Sequence, residues 1–168
     1  MTTERRYAEL HAHSAFTFLD GTDEPARMVE EAVRLGLDAL AILDVDGMFS
    51  TVQTTMAARE AGLPIVYGAE LTLAPDALRG IVPGSSAPGW GLASGADEPG
   101  IRLPILAASP SGYANLVGTM SKRALSAPGE RNPRYRLVDL SEAGGDLIVL
   151  TGGRRGPLIR ALRAGGTA

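Results

Sequence analysis

The chain has 168 residues, 45% of them hydrophobic and 21% charged, and it contains no cysteine. This composition excludes a chain that is disordered throughout, a disulfide scaffold and a cysteine–zinc site, and it leaves room for one domain over residues 1–168. No apolar run is long enough to span a membrane, so we expect a soluble protein that suits a reducing, cytoplasmic environment.

Charge is distributed unevenly along the chain, whose formal net charge is −3. Residues 1–120 carry 7 basic and 15 acidic side chains, whereas residues 121–168 carry 9 basic and 4 acidic ones. An acidic chain is not a general nucleic-acid binder, but its basic segment could contact a nucleic-acid backbone or an acidic partner. A basic face that is merely solvated is the simpler interpretation.

Strand and helix signals alternate along the first half of the chain. Pro25 suits the first turn of a helix that Gly36 ends, and Gly62 stops the next helix. Because strands and helices alternate through short connections, the pattern predicts parallel strands with right-handed crossovers. The predicted elements are a strand over 7–11, a helix over 25–35, a strand over 39–43, a helix over 51–61 and a strand over 65–73.

The second half begins with a segment of a different kind. Residues 74–100 are rich in proline and glycine and contain Trp90, the single tryptophan, so we expect an exposed, mobile loop insertion there. Regular patterns then return. They predict a strand over 103–107, a helix over 110–125, a helical turn near 138–143, a strand over 146–150 and a last helix that ends near 163.

Both histidines of the chain lie at the end of the first predicted strand. The side-chain period of two in a strand places His11 and His13 on the same side, where two imidazoles can chelate one cation. Asp20 could complete the shell of ligands. The alternative is that one histidine caps the strand end and the other packs in the core, since short His-x-His matches are common.

Carboxylates follow or occupy the next two strands. Asp44 and Asp46 come directly after the second strand, and Glu70 lies within the third. Parallel α/β sheets and barrels place their sites at the carboxyl ends of the strands. We therefore expect these acidic groups to face the same end of the fold as the histidines.

Several separated motifs, in order, resemble the N-terminal PHP (polymerase and histidinol phosphatase) domain of bacterial C-family DNA polymerases, the DNA polymerase III alpha subunits. The resemblance covers nearly the whole chain, and its first part looks most like the error-prone branch, which is associated with damage-induced translesion synthesis. The motifs are Leu10-His11-Ala12-His13-Ser14, Phe18-Leu19-Asp20-Gly21, Leu35-Gly36-Leu37 with Ala39-Leu40-Ala41, Asp44-Val45-Asp46-Gly47, Gly62-Leu63-Pro64 with Gly68-Ala69-Glu70, Ser111-Gly112-Tyr113-Ala114-Asn115-Leu116, Pro133-Arg134-Tyr135 and Leu147-Ile148-Val149-Leu150-Thr151-Gly152.

The resemblance implies an α/β fold of the PHP type, a distorted TIM-like (β/α)7 barrel of which this chain holds about the first five βα units. It also implies a metal cluster at the mouth of the barrel. Four positions match family ligands, and three depart from them. The matching residues are His11, His13, Asp20 and Glu70, and the lost ligand positions are Val45, Arg102 and Gly153.

Four ligands are too few for the three-metal hydrolytic centre of the family, so the resemblance implies at most one ion, Zn²⁺ or Mn²⁺. We expect Asp44 to be a neighbour that orients an imidazole rather than a ligand, and we assign no catalytic residue. The site is then degenerate, and the role of the chain is structural.

The function implied by the resemblance is that of the N-terminal PHP region of an error-prone DNA polymerase, involved in translesion synthesis and DNA repair. One alternative is a small stand-alone PHP phosphoesterase that acts on phosphate monoesters or DNA ends. Another is a non-catalytic interaction module that docks on the rest of a polymerase or on another repair protein.

The basic segment generates a prediction about DNA. Titration with a short duplex should show weak binding that is lost near physiological salt, because it depends on releasing counterions from few phosphates. Arg154→Glu/Arg155→Glu should weaken the binding seen at low salt. Tight, salt-insensitive binding would contradict the interpretation of a mostly solvated face.

Overall fold

A computed structural model describes residues 6–74, 77–78, 100–126, 134–142 and 144–163. Within these ranges no helix is long and apolar enough to cross a membrane. The chain divides into two compact units, with the boundary between Ala69 and Glu70. The elements are β1 (Ala8–Ala12), α1 (Pro25–Arg34), β2 (Ala39–Ile42), α2 (Thr51–Ala61), β3 (Gly68–Thr72), β4 (Arg102–Ala107), α3 (Pro110–Ser126), α4 (Leu137–Glu142), β5 (Leu147–Val149) and α5 (Pro157–Arg163).

The first unit is a parallel strand pair covered by two helices. Strands β1 and β2 pair in parallel, with Ala8 opposite Ala39, and the register shifts between Glu9 and Ala12. Helix α1 starts at Pro25, where the missing N–H costs no hydrogen bond, and α2 stops at Gly62, whose φ of 71° suits glycine. The parallel pairing predicted for these two strands is thus confirmed.

An apolar cluster holds the first unit together. Its members come from both helices, from β2 and from the residue that follows the cap of α2, and each buried valine, leucine or isoleucine contributes roughly 1.5–3 kcal/mol. Because β1 pairs with β2, this core fixes the position of the strand that carries His11. The buried members are Val29, Ala32, Leu40, Ile42, Ala58 and Leu63.

A three-stranded sheet in the order β3-β4-β5 lies in the second unit, except for Gly68 and Ala69 at the start of β3. Strands β4 and β5 pair antiparallel, with Leu106 opposite Ile148, whereas β1 and β2 pair in parallel. The reason is that both α3 and α4 lie between β4 and β5. Ser109 at the start of α3 contacts Asp146 just before β5, so the chain has returned by then to the end at which β4 stopped.

The mixed α/β class predicted from the sequence is confirmed, and the described strands form two sheets rather than a closed barrel. The predicted loop insertion over 74–100, with Trp90, lies outside the described residues except for residues 74, 77, 78 and 100. The other predicted elements are present, with ends that differ by at most three residues. The third predicted strand changes most, since regular pairing in β3 begins only at Gly68.

A small polar cluster joins the start of α3 to the start of β5. The hydroxyl of Ser109 accepts a bond from the backbone N–H of Gly112 at 3.1 Å, which is the bond of a helix N-cap. Ser109 and Ser111 also donate to one oxygen of Asp146, at 2.7 and 3.0 Å. These two hydroxyl bonds hold the pKa of the exposed Asp146 carboxyl below its ordinary value.

Replacing Ser109 with alanine should lower the free energy of unfolding by about 1 kcal/mol at pH 7, the usual cost of losing an N-cap. The measurement is urea denaturation. Ser121→Ala is the matched control, because Ser121 lies in the exposed middle of the same helix, where alanine is tolerated.

The loss should also depend on pH. Because the folded-state pKa of Asp146 is depressed, its contribution is complete above the unfolded value and is lost as the pH falls through the folded one. The difference between the parent and Ser109→Ala should therefore shrink as the pH is lowered below about 4. A difference that grows on acidification would contradict the assignment.

Candidate metal centre

A buried carboxylate, Asp44, holds together the loops that follow β1 and β2. Its Oδ1 accepts bonds from the backbone N–H and the hydroxyl of Ser14, at 3.0 and 2.8 Å, and from the hydroxyl of Thr17 at 2.9 Å. Its Oδ2 accepts the N–H of Ser50 at 3.2 Å. Asp44 is 1% exposed, so each of these bonds replaces water that the carboxylate has lost.

The loop after β1 also needs a glycine at one position. A side chain on Gly21 would collide with the carbonyl oxygen of Ser14. Two further backbone bonds, from Ala15 N–H to the Asp23 carbonyl at 2.8 Å and from Gly21 N–H to the Thr17 carbonyl at 2.9 Å, complete the loop. These contacts fix the chain directly after His13.

His11, His13 and Glu70 are brought together. The imidazole rings of His11 and His13 lie edge to face, with centroids 5.2 Å apart and an interplanar angle of 87°. Each of the three residues offers one ligand atom, and these atoms lie within 4.8 Å of one another. Glu70 is bonded directly to Ala69, the last residue of the first unit, and lies in the middle of β3.

Two imidazole nitrogens and one carboxylate oxygen are a donor set that suits a divalent transition-metal ion such as Zn²⁺, and it also suits Mn²⁺, with lower affinity. Glu70 is buried and both histidines are half-buried, so little water competes for these atoms. The group could therefore bind a metal ion, and the full set of ligands stays a prediction.

Glu70 has a second neighbour of opposite charge. A guanidinium nitrogen of Arg102, Nη1, lies 3.5 Å from Glu70 Oε2, and the two side chains are 17% and 5% exposed. Arg102 is the first residue of β4, which is next to β3 in the sheet. The separation is at the outer limit of a hydrogen bond, so the contact is mainly electrostatic.

The remaining candidate residues lie elsewhere or do other work. Asp20 is exposed and does not belong to the three-residue group, so its role as a ligand stays a prediction. The donors that Asp44 meets are Ser14, Thr17 and Ser50 rather than an imidazole. Arg102, Val45 and Gly153 are the positions at which we expected a ligand to be lost, which stays a prediction. Val45 is half-buried and its N–H donates to Thr17 Oγ1, and Gly153 is exposed.

Residues 9–168 match the sequence model of the PHP domain family. The chain is a member of the PHP domain family. This agrees with the grouping of His11, His13 and Glu70 at a possible metal site.

The relatives of this chain are error-prone DNA polymerases. It is 45% identical to the one from Mycolicibacterium paratuberculosis over 95% of its own length, and 42% identical to the one from Mycobacterium tuberculosis over 96%. For Nocardia farcinica the identity is 40% over 93% of the chain. The chain spans only 13%, 14% and 16% of the length of these three relatives.

One similar solved structure is a two-domain protein from Bacteroides vulgatus that contains a predicted PHP-like metal-dependent phosphoesterase. The match covers 68% of the present chain and 32% of the Bacteroides chain. The identity is 21% and the TM-score is 0.41.

Sequence reasoning missed the donors to Asp44. Ser14 and Thr17 are small polar residues in a loop, a setting in which they are usually exposed, but here they are 0% and 4% exposed. The available signal was the aspartate at the end of an apolar strand, because a buried carboxylate needs several hydrogen-bond donors.

Replacing Asp44 with alanine should lower the free energy of unfolding by at least about 3 kcal/mol, since several buried donors lose their acceptor at about 1–3 kcal/mol each. Urea denaturation measures the loss. Asp23→Ala, which removes an exposed carboxylate near the same loop, should change it by less than about 0.5 kcal/mol. Equal losses in the two variants would show that the Asp44 bonds contribute little.

Proposed function

We propose that this chain acts as the PHP region of an error-prone DNA polymerase, with a metal centre that holds a single ion and has a structural role. The supporting observation is the size of the donor set: His11, His13 and Glu70 form one group of three. The identity of 40–45% to error-prone polymerases over almost the whole chain supports the polymerase context.

In this proposal the ion is Zn²⁺ or Mn²⁺, held by His11, His13 and Glu70, with Asp20 as a candidate fourth ligand. Bound there, the ion would supply a positive charge that holds these ligands in place. The residues of the chain do the rest: the Asp44 network fixes the loop after His13, and β3 holds Glu70 in a buried position. Because a hydrolytic centre of the family type needs more ligands, we expect no turnover of phosphate esters.

The partner in this proposal is the remainder of a C-family polymerase, or another repair protein, and DNA is contacted only weakly by this chain. The polymerase context can be tested on the gene. A reading frame that continues into the carboxylate motifs of a polymerase palm supports the proposal, and a frame that encodes an unrelated protein contradicts it.

The main alternative, a small PHP phosphoesterase, is less well supported. Val45 provides no ligand at a position where the resemblance implies a histidine, and Arg102 replaces another. Hydrolysis of p-nitrophenyl phosphate by the purified chain in the presence of Zn²⁺ or Mn²⁺, abolished by His11→Ala/His13→Ala, would favour the enzyme instead.

The metal centre generates a prediction about stoichiometry. Equilibrium dialysis against Zn²⁺ followed by elemental analysis should give at most one ion per chain in the parent and none in His11→Ala/His13→Ala. Glu30→Ala/Glu60→Ala, which removes two exposed carboxylates outside the group, should retain the ion. Val45→His should bind more tightly than the parent if Val45 stands at a ligand position.

Two outcomes would contradict the proposed centre. Three ions per chain in the parent would mean that a complete family-type centre is present. Equal metal content in the parent and in the double-alanine variant would mean that the ion binds elsewhere on the chain.

A further inference from the structure

Arg102 places a permanent positive charge beside one of the three candidate ligands. Its Nη1 lies 3.5 Å from Glu70 Oε2, and both side chains are largely removed from solvent. An arginine keeps its charge at every pH at which the protein folds. Glu70 therefore has a cation next to it whether or not a metal ion is bound.

A buried carboxylate is costly unless a positive charge or several donors compensate it. A metal ion at the group of His11, His13 and Glu70 would provide that compensation, and Arg102 provides some of it already. The two cations would also repel each other. An ion that bound Glu70 Oε2 at about 2.0–2.2 Å would lie within roughly 6 Å of Arg102 Nη1, given the 3.5 Å of the ion pair.

Little water separates charges at this position. Glu70 is 3% exposed, and the Arg102 side chain is 17% exposed. The repulsion between two cations is screened far less in such a place than on the surface, because both the dielectric constant and the salt concentration are effectively lower there. A divalent ion bound by Glu70 would therefore be repelled by the charge of Arg102.

We propose that Arg102 is a built-in cation that sets the metal affinity of the centre: it balances Glu70 in the metal-free protein and weakens the binding of a divalent ion. The inference rests on the proposed one-ion centre. In this proposal the protein stays folded without metal, and it binds an ion only when the concentration of free metal is high.

The experiment is a Zn²⁺ titration of the parent and of Arg102→Met, against a competing chromophoric chelator. Arg102→Met should bind Zn²⁺ at least about tenfold more tightly, the scale on which a neighbour of a metal ligand changes affinity. Arg154→Met is the matched control, because it removes the same charge at an exposed position and should leave the affinity unchanged. Arg102→Lys keeps the charge and should stay close to the parent.

A second readout separates this role from a purely structural one. Metal-free Arg102→Met should melt at a lower temperature than the metal-free parent, because Glu70 has lost its cation. Saturating Zn²⁺ should raise the melting temperature of Arg102→Met by more than that of the parent. If Arg102 only stabilised the fold, the variant would melt lower, but its affinity for Zn²⁺ would match the parent.

Each outcome gives a decision. Equal affinities in the parent and Arg102→Met, together with loss of binding in His11→Ala/His13→Ala, would overturn the role of Arg102 and leave the one-ion centre standing. Absence of Zn²⁺ binding in both the parent and Arg102→Met would overturn the centre as well. If Arg102→Met does not fold, Arg102→Gln, which keeps a hydrogen-bond donor near Glu70 without the charge, replaces it with the same expected gain.

Discussion

The burial of the Asp44 carboxylate is the constraint on which the first unit depends. A charge at 1% exposure is tolerated only because two backbone N–H groups and two hydroxyls point at it. Those donors come from the loop after β1 and from the start of α2, so satisfying one carboxylate fixes two connections at once. His13 precedes this loop directly, and its position follows from the same bonds.

The second buried carboxylate, Glu70, has a different solution to the same problem. Asp44 accepts hydrogen bonds from neutral donors, whereas Glu70 has the guanidinium of Arg102 at 3.5 Å. The imidazoles of His11 and His13 also lie near Glu70. Arg102 therefore compensates the charge of Glu70 without a metal ion, and the two imidazoles are the groups with which Glu70 could bind one.

The sequence predicted the elements well and the site partly. The helices of the first half were predictable because Pro25, Gly36 and Gly62 mark where they begin or end. The contact of His11 with His13 was predictable because residues two apart in a strand point to one side. The antiparallel pairing of β5 was not predictable, since it depends on the joint path of two helices. Nor was the Glu70–Arg102 pair, because the two residues lie 32 positions apart and pattern reasoning treats each strand separately.

The last part of the second unit, from α4 to α5, buries few of its apolar side chains. Helices α4 and α5 contain no buried residue, and Ile148 and Val149 of β5 are 50% and 57% exposed. Segments with so little buried apolar surface open by local fluctuations that cost less free energy than global unfolding. We therefore expect amide hydrogens in β5 to exchange with solvent before those in the buried strand β3.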